Sequence, residues 1–227
     1  MPEELRDQVY RANLELKSNN LIILTWGNVS GYDPERGIIV IKPSGVPYSE
    51  MTPSSMVVCD IQGNVLEGDL KPSSDLPTHI VLYRSLPGIR GIVHTHSRYA
   101  TAWAQAGEDI PALGTTHADY FYGSVPCTRK LTEEEVKNDY EKNTGRVIAE
   151  TFKENDWLAV PGVLVNSHGP FTWGESPAEA VENSVVLEAI ATMAAITISI
   201  KRSGNIDRYL LDKHYMRKHG KDSYYGQ

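Results

Sequence analysis

The sequence is short of cysteine, of basic charge and of long apolar runs. Only Cys59 and Cys127 occur in 227 residues, in neither a C-x-x-C motif nor a paired framework. That excludes a disulfide scaffold and fits a reducing cytoplasm. Lys and Arg number 22 against 29 Asp and Glu, a formal net charge of −7. So acidic a chain is not expected to bind nucleic acid or an anionic membrane, although a local anion site stays open. No apolar run reads as long enough to span a bilayer. Met1-Pro2-Glu3-Glu4 is acidic with no apolar core, unlike a signal peptide. Repeats, low-complexity tracts and linkers are also missing, so one domain over residues 1–227 is the expectation. What is present, 41% hydrophobic residues, suffices for one sizeable α/β core or two small ones.

The chemistry is densest at Gly91-Ile92-Val93-His94-Thr95-His96-Ser97. β-formers after the Pro87-Gly88 turn read as the end of a buried strand. On a strand, His94 and His96 would project to one side, about 6–7 Å apart. Two converging neutral imidazoles suit a transition metal. A hydrogen-bonded pair at a strand end is the other reading of this stretch alone.

Along the chain, Leu5, Val9, Ala12 and Leu16 predict an amphipathic helix over 3–17. Ile38–Ile41 predicts a strand, and 56–61 with 65–66 a hairpin around Gln62-Gly63-Asn64, so the first half reads as mainly antiparallel β. Ser73-Ser74-Asp75 before Leu76-Pro77 is a helix start; capping explains it, and an anion site at exposed N–H groups is the alternative. A short helix is expected over 99–106, and 115–123 reads as a packed loop. The Thr132/Glu135 capping box opens a helical region to about Lys153, with Gly145 a candidate interruption. Residues 160–165 predict a strand ending at Asn166-Ser167-His168-Gly169-Pro170. Ser176-Pro177 opens a helix to about Ile200 whose middle, Val185–Ile198, is apolar enough for a central or subunit-contact position. A last helix is expected over 210–218, before Ser223-Tyr224-Tyr225-Gly226-Gln227.

Seven motifs in order resemble the class II sugar-phosphate aldolase/epimerase family: Thr25-Trp26-Gly27-Asn28-Val29-Ser30, Ile41-Lys42-Pro43-Ser44-Gly45, Lys71-Pro72-Ser73-Ser74-Asp75, His94-Thr95-His96-Ser97, Gly114-Thr115-Thr116-His117-Ala118-Asp119-Tyr120, Asn166-Ser167-His168-Gly169 and Tyr224-Tyr225-Gly226-Gln227. Each is modest alone; together they are specific and span the chain from Leu5 to Gln227. The resemblance implies an α/β domain with a central, mainly antiparallel β-sheet flanked by helices. It implies His94, His96 and His168 as ligands of one divalent metal per subunit, Zn2+ first and Mn2+ or Co2+ as alternatives, with Asp75 on or beside it. It implies a phosphate pocket of Gly27, Asn28, Lys42, Ser44, Gly45, Ser73 and Ser74, and an acid/base pair of Asp119 and Tyr225 supplied by a neighbouring subunit of a cyclic homotetramer. His117 and His214 are helpers or structural histidines. The family's aldolases carry Glu where Asp75 stands, which favours an epimerase inverting C4 of a phosphorylated ketopentose. C4 is not α to the C2 carbonyl, so retro-aldol cleavage of C3–C4 and re-addition through an enediolate is the expected route. An aldolase, a dehydratase and a non-catalytic scaffold are the alternatives.

Overall fold

The computed structural model describes residues 2–153, 156–201 and 204–225. Seven strands form one antiparallel sheet in the order β4-β3-β2-β1-β5-β7-β6. They are β1 Asn28–Asp33, β2 Ile38–Ile41, β3 Val57–Asp60, β4 Val65–Glu67, β5 Gly91–His94, β6 Gly162–Val165 and β7 Gly169–Gly174. The helices are α1 Pro2–Ser18, α2 Leu76–Ser85, α3 Arg98–Ala106, α4 Thr115–Ala118, α5 Glu133–Lys137, α6 Tyr140–Thr151, α7 Pro177–Ile200 and α8 Arg208–His219, with one 3-10 turn at Pro53–Ser55.

Alternation along the strands divides the core between two faces. Val29 and Val93 face α1 and α7, where Ala12, Leu16, Ala180 and Val181 bury them. Ile39, Ile41, Val57, Ile92, Phe171 and Trp173 face the other way, with Ile80 and Leu82 of α2 and Ile148 of α6. His94 shares this second face with Ile92. It pairs with Asn28 of β1 on one side and with Phe171 of β7 on the other.

Two strands carry little sequence signal. Polar Asn28 and Ser30 and Gly31 dilute the apolar pattern of β1, yet β1 sits mid-sheet. β7 begins at Gly169-Pro170, a pair that normally punctuates a loop; here the Pro170 carbonyl accepts from Thr95 N instead. The segment 115–123, read as loop, contains the single turn of α4.

The helical region from Thr132 breaks at Asn138-Asp139, not at Gly145. The capping box forms as expected, with Glu135 N donating to Thr132 Oγ1 and Thr132 N to the Glu135 carboxylate. Gly145 lies inside α6, where a Cβ would come within 2.7 Å of Val81 Cβ and 3.0 Å of the Thr78 carbonyl; the glycine lets α6 approach α2.

The expectation that no run could span a bilayer needs correction. α7 has the length and composition to cross one. One side of it nonetheless packs inside the fold, with Val181, Leu187, Ile190 and Ala191 buried, while Met193, Ile196 and Ile200 toward its end are exposed. Ser176 Oγ accepts from Glu179 N as the N-cap of α7, and the Glu179 carboxylate reaches back to accept from Glu175 N, one residue before the cap.

Candidate metal centre and active site

Three histidines meet at the end of β5. His94 is the last residue of the strand, His96 follows in the connection to α3, and His168 sits in the turn between β6 and β7. Their ligand atoms lie within 4.8 Å of one another. The Nε2 atoms of His94 and His96 are 3.1 Å apart, close to the roughly 3.3 Å expected of two nitrogens on a tetrahedral zinc with ~2.0–2.1 Å bonds.

The surroundings set which ring nitrogens face one another. His94 Nδ1 donates to the Pro170 carbonyl at 2.9 Å. A carbonyl can only accept, so Nδ1 carries a proton and Nε2 is the nitrogen turned toward the other histidines. Phe171 stacks on the same ring at 4.2 Å and fixes its plane. Burial, reinforced by the neighbouring histidines, lowers His96 and pushes His168 down to about 3. The donor set fits a divalent transition metal.

Asp75 precedes α2 at the N-cap but does no capping: its side chain makes no cap hydrogen bond. Asn28 Nδ2 donates to Asp75 Oδ2 at 2.7 Å and to Ser73 Oγ at 3.1 Å, drawing the carboxylate toward the histidines. Burial raises the Asp75 pKa, but the fields of His94, His79 and His168 and the Asn28 amide outweigh it, and the net shift is downward. Asp75 lines the same cleft, beside the three histidines whose ligand atoms converge.

The loops 42–45 and 71–75 are stitched together by Ser44 N to the Lys71 carbonyl and Ser73 N to the Lys42 carbonyl, both 2.9 Å. Lys42, nearly buried, donates through Nζ to the Pro43 and Val46 carbonyls at 3.1 Å. Its ammonium lies 5.0 Å over the Tyr48 ring, and Tyr48 donates to the Gly27 carbonyl. Desolvation lowers the Lys42 pKa, so an incoming anion would be favoured there. Gly27, Asn28, Lys42, Ser44, Gly45, Ser73, Ser74 and Asp75 line one cleft of about 630 Å³ with His94, His96 and His168.

Gly27 is required where it stands. Its φ is +108°, and a Cβ would come within 2.8 Å of the His94 carbonyl and 2.7 Å of Ile22. Gly27→Ala is expected to lower stability by about 1–3 kcal/mol through strain and clash. Thermal denaturation measures this, and an unchanged Tm would show that the loop relaxes freely.

Asp119 and Tyr225 lie elsewhere: neither lines the cleft of its own chain. Asp119, at the end of α4, accepts from Arg217 Nε and Nη2 at 3.1 and 2.9 Å and from His214 Nδ1 at 3.0 Å. Tyr225 N donates to the Arg217 carbonyl, and the Arg217 guanidinium sits 4.1 Å over the Tyr225 ring. The two residues thus share one arginine on one chain. Gly226 and Gln227, the last residues of that motif, lie outside the described residues. His117 donates to the Gly123 carbonyl at 2.6 Å, and burial pushes it down to about 4, marking a structural histidine. His214 orients Asp119.

Other residues of the site escape sequence reasoning. Tyr140 and Glu141 line the cleft from the first turn of α6. Trp26, half-exposed at the rim, places its ring 6.1 Å from that of His96. His79, fully buried beneath Asp75, bonds Ser30 Oγ at 2.7 Å. The usable signal is backbone strain. Of four non-glycine residues with positive φ among the described residues, three immediately precede cleft residues: Leu24 before Thr25-Trp26, Asp139 before Tyr140, and Ser167 before His168. Such strain clusters at functional sites.

Known proteins share this architecture. An L-fuculose 1-phosphate aldolase structure superposes with a TM-score of 0.77 at 24% identity, covering 94% of this chain and 95% of that one. The L-fuculose 1-phosphate aldolase from Glaciozyma antarctica PI12 gives 0.78 at 18% identity, over 95% and 81%. YgbL from Escherichia coli, described as a putative aldolase/epimerase/decarboxylase, gives 0.72 at 26% identity, over 93% and 98%. A sequence profile of class II aldolases and adducin N-terminal domains matches residues 7–195. That match covers most of the chain, and with a sheet of this order and a three-histidine group at the end of β5 it makes this chain a member of the class II aldolase and adducin N-terminal domain family.

Proposed function

We propose that the protein is an L-ribulose-5-phosphate 4-epimerase, an isomerase of pentose catabolism, arabinose catabolism among the routes it would serve, giving D-xylulose 5-phosphate. The observation that carries this reading is the continuity of the histidine group with the Lys42, Ser44 and Ser73 cradle in one cleft. A scaffold has no use for such a pairing; an enzyme that activates one end of a sugar and anchors a phosphate at the other does. Asp75 in place of the aldolases' Glu favours epimerisation, because the shorter acid stays with the histidines and Asn28 instead of reaching a substrate C–H.

A divalent cation held by His94, His96 and His168, zinc on the chemistry of three neutral imidazoles and Mn2+ or Co2+ otherwise, would supply Lewis-acid stabilisation of negative charge on the sugar's C2 and C3 oxygens. The residues around it do the rest. Lys42, the Ser44, Ser73 and Ser74 hydroxyls and the small Gly27 and Gly45 hold the phosphate, with Asn28 between the two ends. A base removes the C4 hydroxyl proton as the C3–C4 bond breaks to an enediolate and glycolaldehyde phosphate. The anchored aldehyde turns its other face, the bond re-forms, and an acid protonates the inverted C4 oxygen. Asp119 and Tyr225 fill these two roles, reaching the cleft from a neighbouring subunit of a homotetramer in the cytoplasm, each subunit a single domain over residues 1–227.

Assay of purified protein with L-ribulose 5-phosphate tests the proposal. D-xylulose 5-phosphate supports it, and accumulation of free glycolaldehyde phosphate makes the protein an aldolase instead. L-Ribulose without phosphate is expected to be a very poor substrate, since anchoring energy holds the loose aldehyde during its rotation. Comparable kcat/KM for the two sugars would refute the cradle assignment. Asp75→Glu is expected to slow epimerisation and to raise net aldol cleavage; if both rates are unaltered, Asp75 does not steer the reaction.

A further inference from the structure

Tyr140 contacts the histidine group directly. Its hydroxyl lies 3.2 Å from His168 Nδ1, with the rings 6.1 Å apart, so the contact runs through the hydroxyl and not through stacking. Strained backbone delivers both partners. Asp139, at φ +56°, turns the chain into α6 with no side-chain cap bond, and Ser167, at φ +62°, turns it into His168. Each such conformation costs on the order of 1 kcal/mol or more. Neighbouring bonds hold the Tyr140 turn in place: Asn143 Nδ2 donates to the Glu135 and Asn138 carbonyls, and Thr144 Oγ1 to the Tyr140 carbonyl.

An imidazole that offers its Nε2 lone pair to a cation keeps its proton on Nδ1. For His94 the Pro170 carbonyl enforces this. For His168 the partner is a hydroxyl, which can accept or donate. From this geometry we infer that Tyr140 is a positioning residue for His168. Its oxygen accepts a hydrogen bond from Nδ1–H, which keeps the proton on Nδ1 and Nε2 free for the cation. Its own hydroxyl proton then turns from the histidine toward the cleft that Tyr140 lines, where it can meet a substrate oxygen.

The inference rests on the metal reading above, and Tyr140→Phe tests the two separately. Nitrogen-15 imidazole NMR of metal-free protein should show His168 as the Nδ1–H tautomer in the parent and as a mixture in the variant. Competition with a chelator should show Co2+ or Zn2+ bound roughly 10–100-fold more weakly by the variant, the usual effect of losing a ligand's supporting partner. The visible bands of the cobalt form should shift. Circular dichroism should show the fold intact. An unchanged His168 tautomer or an unchanged affinity overturns the inference. A parent protein that binds no metal sinks the metal reading instead, and the tautomer measurement then decides the role of Tyr140 by itself.

Discussion

His168→Asn, His94→Asn and His96→Asn are each expected to lose bound metal and turnover together. Each histidine supplies one of three clustered ligand atoms. Removing a direct ligand should weaken affinity by more than the roughly 10–100-fold that a supporting partner contributes. His94→Asn should be the most damaging, because that ring is also stacked on Phe171 and tied to the Pro170 carbonyl. Metal content by atomic emission, read beside the epimerase assay, checks this. A variant that keeps one tightly held metal per chain and full activity would remove that histidine from the site.

Tyr225→Phe is expected to leave fold, assembly and metal content intact while slowing the reaction by roughly two to four orders of magnitude, the range for one acid/base group. Tyr225 is half-exposed, and its backbone and ring anchors on Arg217 do not involve the hydroxyl. The substitution therefore deletes one proton donor and little else. Asp119→Asn should also lose activity, but with a lower Tm, because it strips the charge that Arg217 and His214 grip. The contrast in Tm between the two variants separates chemistry from architecture. Near-normal turnover by Tyr225→Phe would take the tail out of the mechanism.

Legibility differed with the kind of signal. α1 follows from periodicity, with Val9, Ala12 and Leu16 buried on one face; β2 follows from a continuous apolar run buried on both sides, the β3–β4 hairpin from its turn although β4 itself is exposed, and α7 from its Ser176-Pro177 start and apolar middle. β1 and β7 do not, because the central strands nearest the site carry Asn28, Ser30, Gly169 and Pro170, where function displaces strand formers. His94, His96 and His168 could be named because few other chemistries use such residues at strand ends. Tyr140 could not, since an aromatic at a helix start looks like packing until the Asp139 turn is seen. The sequence pattern at 73–75 suggested a cap, and only the tertiary Asn28 contact shows that the Asp75 carboxylate is directed elsewhere.

The register of the sheet has a thermodynamic consequence. Asn28, His94 and Phe171 stand side by side on three neighbouring strands, and His168 arrives from the turn that joins the outermost pair. A slip of one residue at β5 would send His94 to the opposite face. An unfolded or misregistered chain therefore cannot assemble the histidine group, and any cation bound there acts as a ligand of the native state alone. By mass action, free metal at about a hundred times its dissociation constant would add about 2.7 kcal/mol to the stability of the whole sheet. Melting temperature titrated against free zinc thus becomes a measure of strand register, readable without substrate.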